Sequence, residues 1–450
     1  MNDNNLVTGS LNKHFKKIAI PASIGFLFNT LFNVVDTYFA GYLGTDAIAG
    51  MAISFPIFFL LISISMGLGN STTALSAIAI GKKDSLLLHQ YTKNALFLGI
   101  LFGLSIPFIT PLFIEQLFEL TGAEGNVLQI GLDYTYTILY GTIFFVLNYV
   151  INGFLNAQGN TKPFRNFLII GFFVNILLDS MFVLGFWFIP AMGVQGIALA
   201  TVIVQGIGTV YLTYNVLRSN AFKLELYKEA TIKLKTIKEL MSQAIPSTLS
   251  TATIALGVFI INYFVLRYGG SDTIAAYGVS MRIEQIALIP TIGLNIAALS
   301  IVGQSFGAKS YDRIKETRNK ATLYGVIIML IATVIIVPFA PFFISLFDNN
   351  PDVIRAGAIY LRIEAIAFTT YVILNINVSV LQGIKKPKFT IIIGVYRQIF
   401  PFILFFFLGT TLSLGIYGVW WGIVIINWSA VLIIYLYTNY ELRKLKKTSI

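Results

Sequence analysis

Twelve predominantly apolar stretches, each at least about as long as the ~20 residues a helix needs to cross the hydrocarbon core of a bilayer, follow one another with only short polar breaks. Their approximate bounds are 17–43, 47–80, 93–118, 126–157, 164–188, 192–217, 240–268, 273–306, 319–346, 353–382, 389–410 and 415–438. Hydrocarbon offers no partner to a peptide N–H or C=O, so each run is expected to be a helix that satisfies its own backbone. The expected fold is therefore all-α and polytopic, with twelve transmembrane helices. With 56% hydrophobic and only 11% charged residues, the chain departs from the roughly 25% charge of soluble domains, and the same figures exclude disorder. There is no cysteine, which removes disulfides, thiolate metal sites and thiol nucleophiles. The polar stretch up to Lys17 lacks an apolar core ending in a small-residue cleavage site, so it does not read as a signal peptide and the first run reads as a retained helix.

The net charge of +11 sits in short clusters between apolar runs, which is how membrane loops are charged, and no nucleic-acid partner is expected. Twenty-six of the 31 Lys and Arg residues fall on one alternate set of breaks, from Lys13, Lys16 and Lys17 to Arg443, Lys444, Lys446 and Lys447. The opposite breaks, around Asp46, Glu115 to Glu124, Asp272 and Asp348 to Asp352, carry only Arg267 and Arg355. Positive loops stay inside. Both termini are expected on the cytoplasmic face, in the plasma (inner) membrane of a bacterium.

The two halves carry the same punctuation in the same order. Pro21 answers to Pro246; Gly44, Thr45, Asp46 to Gly270, Ser271, Asp272; Gly81 to Gly307; Gln158, Gly159, Lys162 and Pro163 to Gln382, Gly383, Lys386 and Pro387; and Gly193 and Gly196 to Gly415 and Gly418. Six helices separate equivalent points, so the halves share one orientation and a pseudo-twofold axis along the membrane normal. The expected organisation is an N-terminal six-helix lobe over 1–217, a cytoplasmic linker over 218–239, and a C-terminal six-helix lobe over 240–450. Two such lobes form a transporter architecture that can open a cavity to either side by rocking.

Pro21, Asp36, Gly41 and Leu43-Gly44, then Gln158-Gly159 with Lys162-Pro163, Asn175 and Asp179, and Gly193 to Thr201 together resemble the multidrug and toxic compound extrusion (MATE) family along the whole chain. The resemblance implies an antiporter that expels lipophilic, mostly cationic compounds in exchange for Na+ or H+. It also implies a cation-coupling site at Asp36, Asn175, Asp179 and Thr201, with Na+ held at the first three where sodium is the coupling ion, and a bend of the first helix at Pro21.

The residues carry their own argument. A charge at membrane depth costs at least ~2.5 kcal/mol, so acids inside apolar runs are functional candidates by default; Asp36 and Asp179 are two of them. Asn29, Asn33 and Asp36 fall at i, i+4 and i+7 of one helix face. Asn148, Asn152 and Asn156 make a stripe on the fourth helix, and Thr201, Gln205 and Thr209 on the sixth; Asn29, Asn33, Asn148, Asn152 and Gln205 are candidates for a polar cavity stripe. Carboxylate, amide and hydroxyl oxygens suit a small hard cation or a shared proton. The repeat maps Asp36 onto Ile261 and Asp179 onto Ile403, so the acids do not belong to the shared frame and coupling is expected in the N-terminal lobe alone. The C-terminal half has charges of its own, Arg282, Glu284, Arg362, Glu364 and Arg397, expected mainly to pair with one another.

Other chemistry fails on inspection, and no enzyme activity and no cofactor beyond the coupling ion are expected. Gly303, Gly307, Lys309 and Ser310 approximate a phosphate loop, but an extra residue intervenes and a membrane helix precedes them. His14 and His89 lie in polar stretches and are expected to be solvated. The partners expected are small organic cations and membrane lipid, for a monomer. The alternative is a flippase of lipid-linked precursors or polysaccharide from the same wider superfamily, whose more basic cavity could draw here only on Arg282 and Arg397.

The cysteine-free sequence makes the topology directly testable: single cysteines placed between Glu119 and Gly125 should label only from outside, and one at Lys235 only from the cytoplasm. The reverse pattern would overturn the orientation.

Overall fold

The computed structural model describes residues 5–447 apart from Thr121 and Phe188; Phe188, the expected end of the fifth segment, and the outermost residues of the two expected lobes lie outside that range. The described residues form helices and no strand, with one isolated bridge between Phe186 and Ile189. The first three spans are Leu11–Leu43, Thr45–Gly81 and Ser85–Ile109. The fourth is a bent pair, Gly125–Tyr140 and Thr142–Ala157, the fifth Lys162–Leu184 and the sixth Gly193–Leu217. Spans seven and eight share the run Leu234–Gly307; the ninth is Tyr311–Ser345, the tenth the pair Pro351–Glu364 and Phe368–Gly383, the eleventh Lys388–Phe406 and the twelfth Ile416–Lys447.

Nine helices among the described residues are long and apolar enough to cross a membrane, and two further pairs do so together across bends of 48° and 50°. The count reaches twelve because Leu234–Gly307, with 74 residues, would extend about 110 Å at 1.5 Å per residue, against a hydrocarbon core of ~30 Å. It turns at Gly270, whose φ of 76° and ψ of −169° are non-helical. Gly44, the repeat equivalent, has φ 113° at the turn between the first two spans. Only a residue without Cβ adopts these angles freely, which is why the two halves keep glycine there.

Several boundaries differ from expectation for local reasons. The third span stops at Ile109, gives way to a 3₁₀ turn over Thr110–Leu112, and is followed by the short helix Ile114–Leu120; Phe113, at φ −141° and ψ −3°, breaks the helical run between them. The first span begins at Leu11, so Pro21 lies well inside the helix. The left-handed residue after the fourth span is Gly159, and after the tenth it is Lys385. The connection in the second half is two residues shorter from that turn to its proline, so the Gln-Gly match does not mark equivalent backbone positions.

The residues form two compact units: Ile24–Thr248, with Asn5, and Leu6–Ser23 with Leu249 onward. In the first unit, spans two and four meet at glycines, and a Cβ added to Gly153 would lie 2.5 Å from the Gly69 carbonyl oxygen. Ser54 Oγ donates to the Gly50 carbonyl at 2.8 Å and the Gly131 carbonyl at 3.1 Å. In the second unit, Ser280 repeats the clasp 226 positions later, with the Ala276 carbonyl at 2.7 Å and the Gly357 carbonyl at 3.5 Å. The repeat is therefore written in helix packing as well as in turns. Close glycine contact with hydroxyl bridging is how membrane helices associate where no hydrophobic force separates them from lipid.

The histidines correct the expectation of solvation. His89 is fully buried; its Nδ1 donates to the Ser85 carbonyl at 2.6 Å and its Nε2 accepts the Lys223 N–H at 2.9 Å. His14 is half-buried, with Nε2 2.7 Å from the Thr8 carbonyl. Both lie near chain segments that a reading by local polarity takes for open loop.

Gly153→Val should lower the thermal unfolding temperature in detergent by the larger amount, the overpacking costing about 3 kcal/mol or more, whereas Gly122→Ala, at a position with nothing within 4 Å of an added Cβ, should cost only the roughly 1–2 kcal/mol of left-handed strain. Fluorescence-detected thermal unfolding of both variants checks the ranking.

Candidate functional site

The site is built in the first unit by the first, fourth, fifth and sixth spans. Asp36, Asn175, Asp179 and Thr201 are all buried, at 5%, 0%, 0% and 3% exposure. Asn175 and Asp179 lie one helical turn apart on the fifth span and both face Asp36. Thr201 Oγ1 donates to Asp36 Oδ2 at 3.3 Å. The other Asp36 oxygen, both Asp179 oxygens and both polar atoms of Asn175 are buried without a hydrogen-bond partner among the described residues. Buried polar groups are ordinarily paired. Two carboxylates facing each other in a dry environment repel strongly, and carboxylate, amide and hydroxyl oxygens match a proton or a small hard cation. Among the described residues no group of three or more His, Cys, Asp or Glu is placed so that it could hold a metal ion.

Tyr134 of the fourth span was not foreseen. It is buried at 7% exposure and its phenol lies in the field of both Asp36 and Asp179. No charge or sequence motif marks it, and only the packing of the fourth span brings it near the acids.

The asparagine stripes divide. Asn148 is fully engaged: its Nδ2 donates to Gln205 Oε1 at 2.7 Å and the Gln205 carbonyl at 2.9 Å, and its Oδ1 accepts from Thr209 at 2.9 Å. This joins the fourth and sixth spans. Asn152 and Asn156 are buried with a side-chain oxygen left unpartnered. Asn33 is exposed and donates to the Asn29 carbonyl of its own helix at 3.0 Å, and Asn29 is half-buried. Pro21 is buried, four turns before Asp36.

In the second unit Glu284 and Arg397 are brought to one network and Arg282 is not. Tyr360 OH donates to Glu284 at 3.4 Å, and Tyr371 OH to Glu364 at 2.8 Å. Arg397 donates to Asn427 Oδ1 at 2.9 and 3.1 Å and stands over the Tyr371 ring at 5.5 Å. No ion pair within 4.0 Å joins these charges, contrary to expectation; tyrosine hydroxyls and an asparagine mediate instead. Arg282 is exposed, and so is Arg362, which reaches the Val337 carbonyl at 3.2 Å.

Comparison with known proteins follows the repeat. The MatE family model matches residues 21–181 and again 246–407, so each match opens on one of the two equivalent prolines. The chain is 28% identical over 413 residues to a probable multidrug resistance protein, YoeA, of Bacillus subtilis, covering 90% of this chain and 88% of that one. It is 24% identical over 403 residues to an FAD transporter of Shewanella oneidensis, covering 88% and 87%. Among solved structures, the outward-facing conformation of a multidrug resistance MATE family transporter superposes with a TM-score of 0.92 at 24% identity, covering 99% of each chain.

The two kinds of buried polar group should separate on mutation. Asn148→Leu strands the Gln205 and Thr209 groups and should cost about 1–3 kcal/mol, read as a lower unfolding temperature. Asp179→Asn removes an uncompensated buried charge and should leave stability equal or higher.

Proposed function

Because the chain belongs to the MatE family of multi-pass membrane transporters, which are not enzymes, we propose that it is a secondary active antiporter. It exports lipophilic, mostly cationic compounds in exchange for inward Na+ or H+ across the inner membrane of a bacterium, with both termini cytoplasmic. The observation that carries this reading is the buried pair Asp36 and Asp179 with Asn175, whose side-chain polar atoms, apart from the Asp36 Oδ2 that Thr201 reaches, lack hydrogen-bond partners among the described residues.

The pair is the coupling element. Without a bound cation, two facing carboxylates in low dielectric repel and favour an arrangement that separates the first span from the fifth. A proton or Na+ arriving from outside neutralises the repulsion, the first span bends at Pro21, where proline interrupts the backbone bonding, and drug is released. Linkage makes the effect reciprocal: bound drug weakens ion binding by the same factor. Asn175 and Thr201 supply neutral oxygen ligands, and the Tyr134 phenol lies in the field of both acids.

The disposition of cations favours a cationic cargo over the flippase alternative and over an anionic cargo such as FAD. A site for phosphates needs free buried guanidinium or ammonium groups; here Arg282 is exposed, and Arg397 is occupied by Asn427 and Tyr371.

Equilibrium binding of a fluorescent lipophilic cation should weaken as Na+ or acidity rises in the wild type. Asp36→Asn should flatten that dependence, and Pro21→Ala should reduce it while ion binding persists. In vesicles, Asp36→Asn and Asp179→Asn should each cut efflux at least tenfold with expression unchanged, and Glu284→Gln should do less. Equal ion dependence in all three binding series, or harmless Asp36→Asn beside inactivating Glu284→Gln, would place the coupling elsewhere.

A further inference from the structure

The linker between the sixth and seventh spans is not a free loop. It lies along the third span within the first unit, and four residues of that span hold it. His89 Nε2 accepts the Lys223 N–H at 2.9 Å, and its ring meets that of Phe222 with centroids 5.6 Å apart. Lys93 Nζ donates to the Tyr227 and Ala230 carbonyls at 3.3 and 2.7 Å. Asn94 donates to the Thr231 carbonyl at 3.0 Å and accepts the Lys233 N–H at 2.9 Å, and Tyr91 OH donates to Glu239 Oε2 at 2.6 Å. These bonds also fix the depth of the segment. Asn94 stands at the start of the apolar run 93–118, and the seventh apolar run begins at 240. Residues 231–239 therefore lie at the level where hydrocarbon gives way to headgroups.

What this clamp leaves exposed is basic and apolar together. Residues 218–239 hold six Lys and Arg residues against three Glu; all six cations are exposed, and one of the acids, Glu239, already accepts from Tyr91. Beside the cations, Ile232 and Leu234 are 50% and 66% exposed. Leu234, Lys235, Lys238, Glu239 and Ser242 line a shallow cavity of about 480 Å³. Neither Lys235 nor Lys238 has a hydrogen bond or ion pair among the described residues, while Ser242 Oγ donates to the Glu239 carbonyl at 2.7 Å. Helix stability does not account for the lysines. Lys235 sits in the first turn of the helix that starts at Leu234, a turn without an acid, and a cation at that end opposes the helix dipole. A cavity with two unpaired ammonium groups and an exposed leucine suits a ligand that is anionic at one end and apolar at the other. Cations just cytoplasmic of a membrane helix are drawn to anionic lipid, and apolar side chains at headgroup depth enter the acyl boundary.

We propose that this cavity is a binding site for an anionic phospholipid of the cytoplasmic leaflet, its phosphate held between Lys235 and Lys238 and an acyl chain lying along Leu234. The third span presents the site ready-made, because His89, Lys93 and Asn94 hold the linker backbone before any lipid arrives. The site rests on the cytoplasmic placement of residues 218–239 and is independent of what the protein transports.

The test uses the full chain in detergent micelles containing equal amounts of phosphatidylglycerol and phosphatidylcholine, with retained lipid counted by native mass spectrometry. The wild type should retain phosphatidylglycerol over phosphatidylcholine by at least about tenfold. Lys235→Gln with Lys238→Gln should remove most of that preference, and either change alone should lower it about threefold; both side chains are exposed, so their replacement leaves the packing intact. Lys235→Arg with Lys238→Arg should keep the preference within about twofold. Lys82→Gln with Lys83→Gln takes the same charge from another break on the same face and should change nothing. Leu234→Ser should reduce retained phosphatidylglycerol, and glycerol phosphate, the headgroup without acyl chains, should not displace the lipid at equal concentration. An unchanged preference in the Lys235 and Lys238 glutamine variant, or an equal loss in the Lys82 and Lys83 variant, would overturn the site. Displacement by glycerol phosphate or inorganic phosphate at equal concentration would also overturn it, marking a place for a free anion. Retained phosphatidylglycerol together with labelling of a cysteine at Lys235 from outside only would refute the assignment to the cytoplasmic leaflet, whatever the efflux assays show.

Discussion

Inside a bilayer a peptide group has nothing to bond but its own helix, and the rest of this molecule can be understood as the consequence of that restriction and of the few places where it is relaxed. Helices satisfy the rule almost everywhere. The exceptions are localised: prolines 21 and 246, the broken fourth and tenth spans with bends of 48° and 50°, and the glycine turns at 44 and 270. Each recurs in both halves. Because backbone bonding is costly to interrupt, interruptions repeated at equivalent points belong to the way the fold works and not to local accident.

Against this shared frame, polar chemistry is distributed unevenly. The first unit carries a dry acid pair with few partners, while the second carries acids and an arginine linked through tyrosines and Asn427. The two arrangements have different physical meanings. A network with its groups joined to one another favours a single geometry, whereas an unrelieved repulsion holds a conformation only until something neutralises it. The fold thus provides two similar bodies, and in the proposed antiporter only one of them carries the electrostatic trigger.

Much of this was legible in the sequence because a membrane makes hydropathy nearly sufficient for finding helices, and because turns need glycine or proline at fixed points. Twelve spans, the repeat and the grouping of Asp36 with Asn175, Asp179 and Thr201 could be read that way, the last through family resemblance. What could not be read depended on which way a face points. Asn33 shares a helical stripe with Asp36 yet is exposed, since three residues along a helix do not fix how wide the buried face is. Tyr134 comes near the acids through the packing of its span, which no motif announces. Arg282 and Arg397 look alike in sequence, and only packing makes one exposed and the other bonded to Asn427. His89 is buried by Lys223, far away along the chain, and no local rule reveals that the two compact units exchange their leading half-helices, residues 6–23 and 234–248.

That exchange bears on how the protein can be assembled. The amino-terminal half of the first span has its bonding partners 267 to 312 residues downstream, at Pro290 and Tyr324 among others. As the chain emerges from the ribosome, this half-helix must wait in the membrane through the synthesis of most of the protein, with its buried face satisfied only by lipid or by the insertion machinery. Pairings this distant in sequence form late and slowly. A fragment ending after the sixth span would lack the half-helix that belongs in its unit, residues 234–248, and would present a groove that its own first half-helix could fill wrongly. Two such fragments made as separate chains could instead complete each other, each lending its leading half-helix to its neighbour, which is the arrangement of a domain-swapped dimer. The single chain is the covalent form of that pairing.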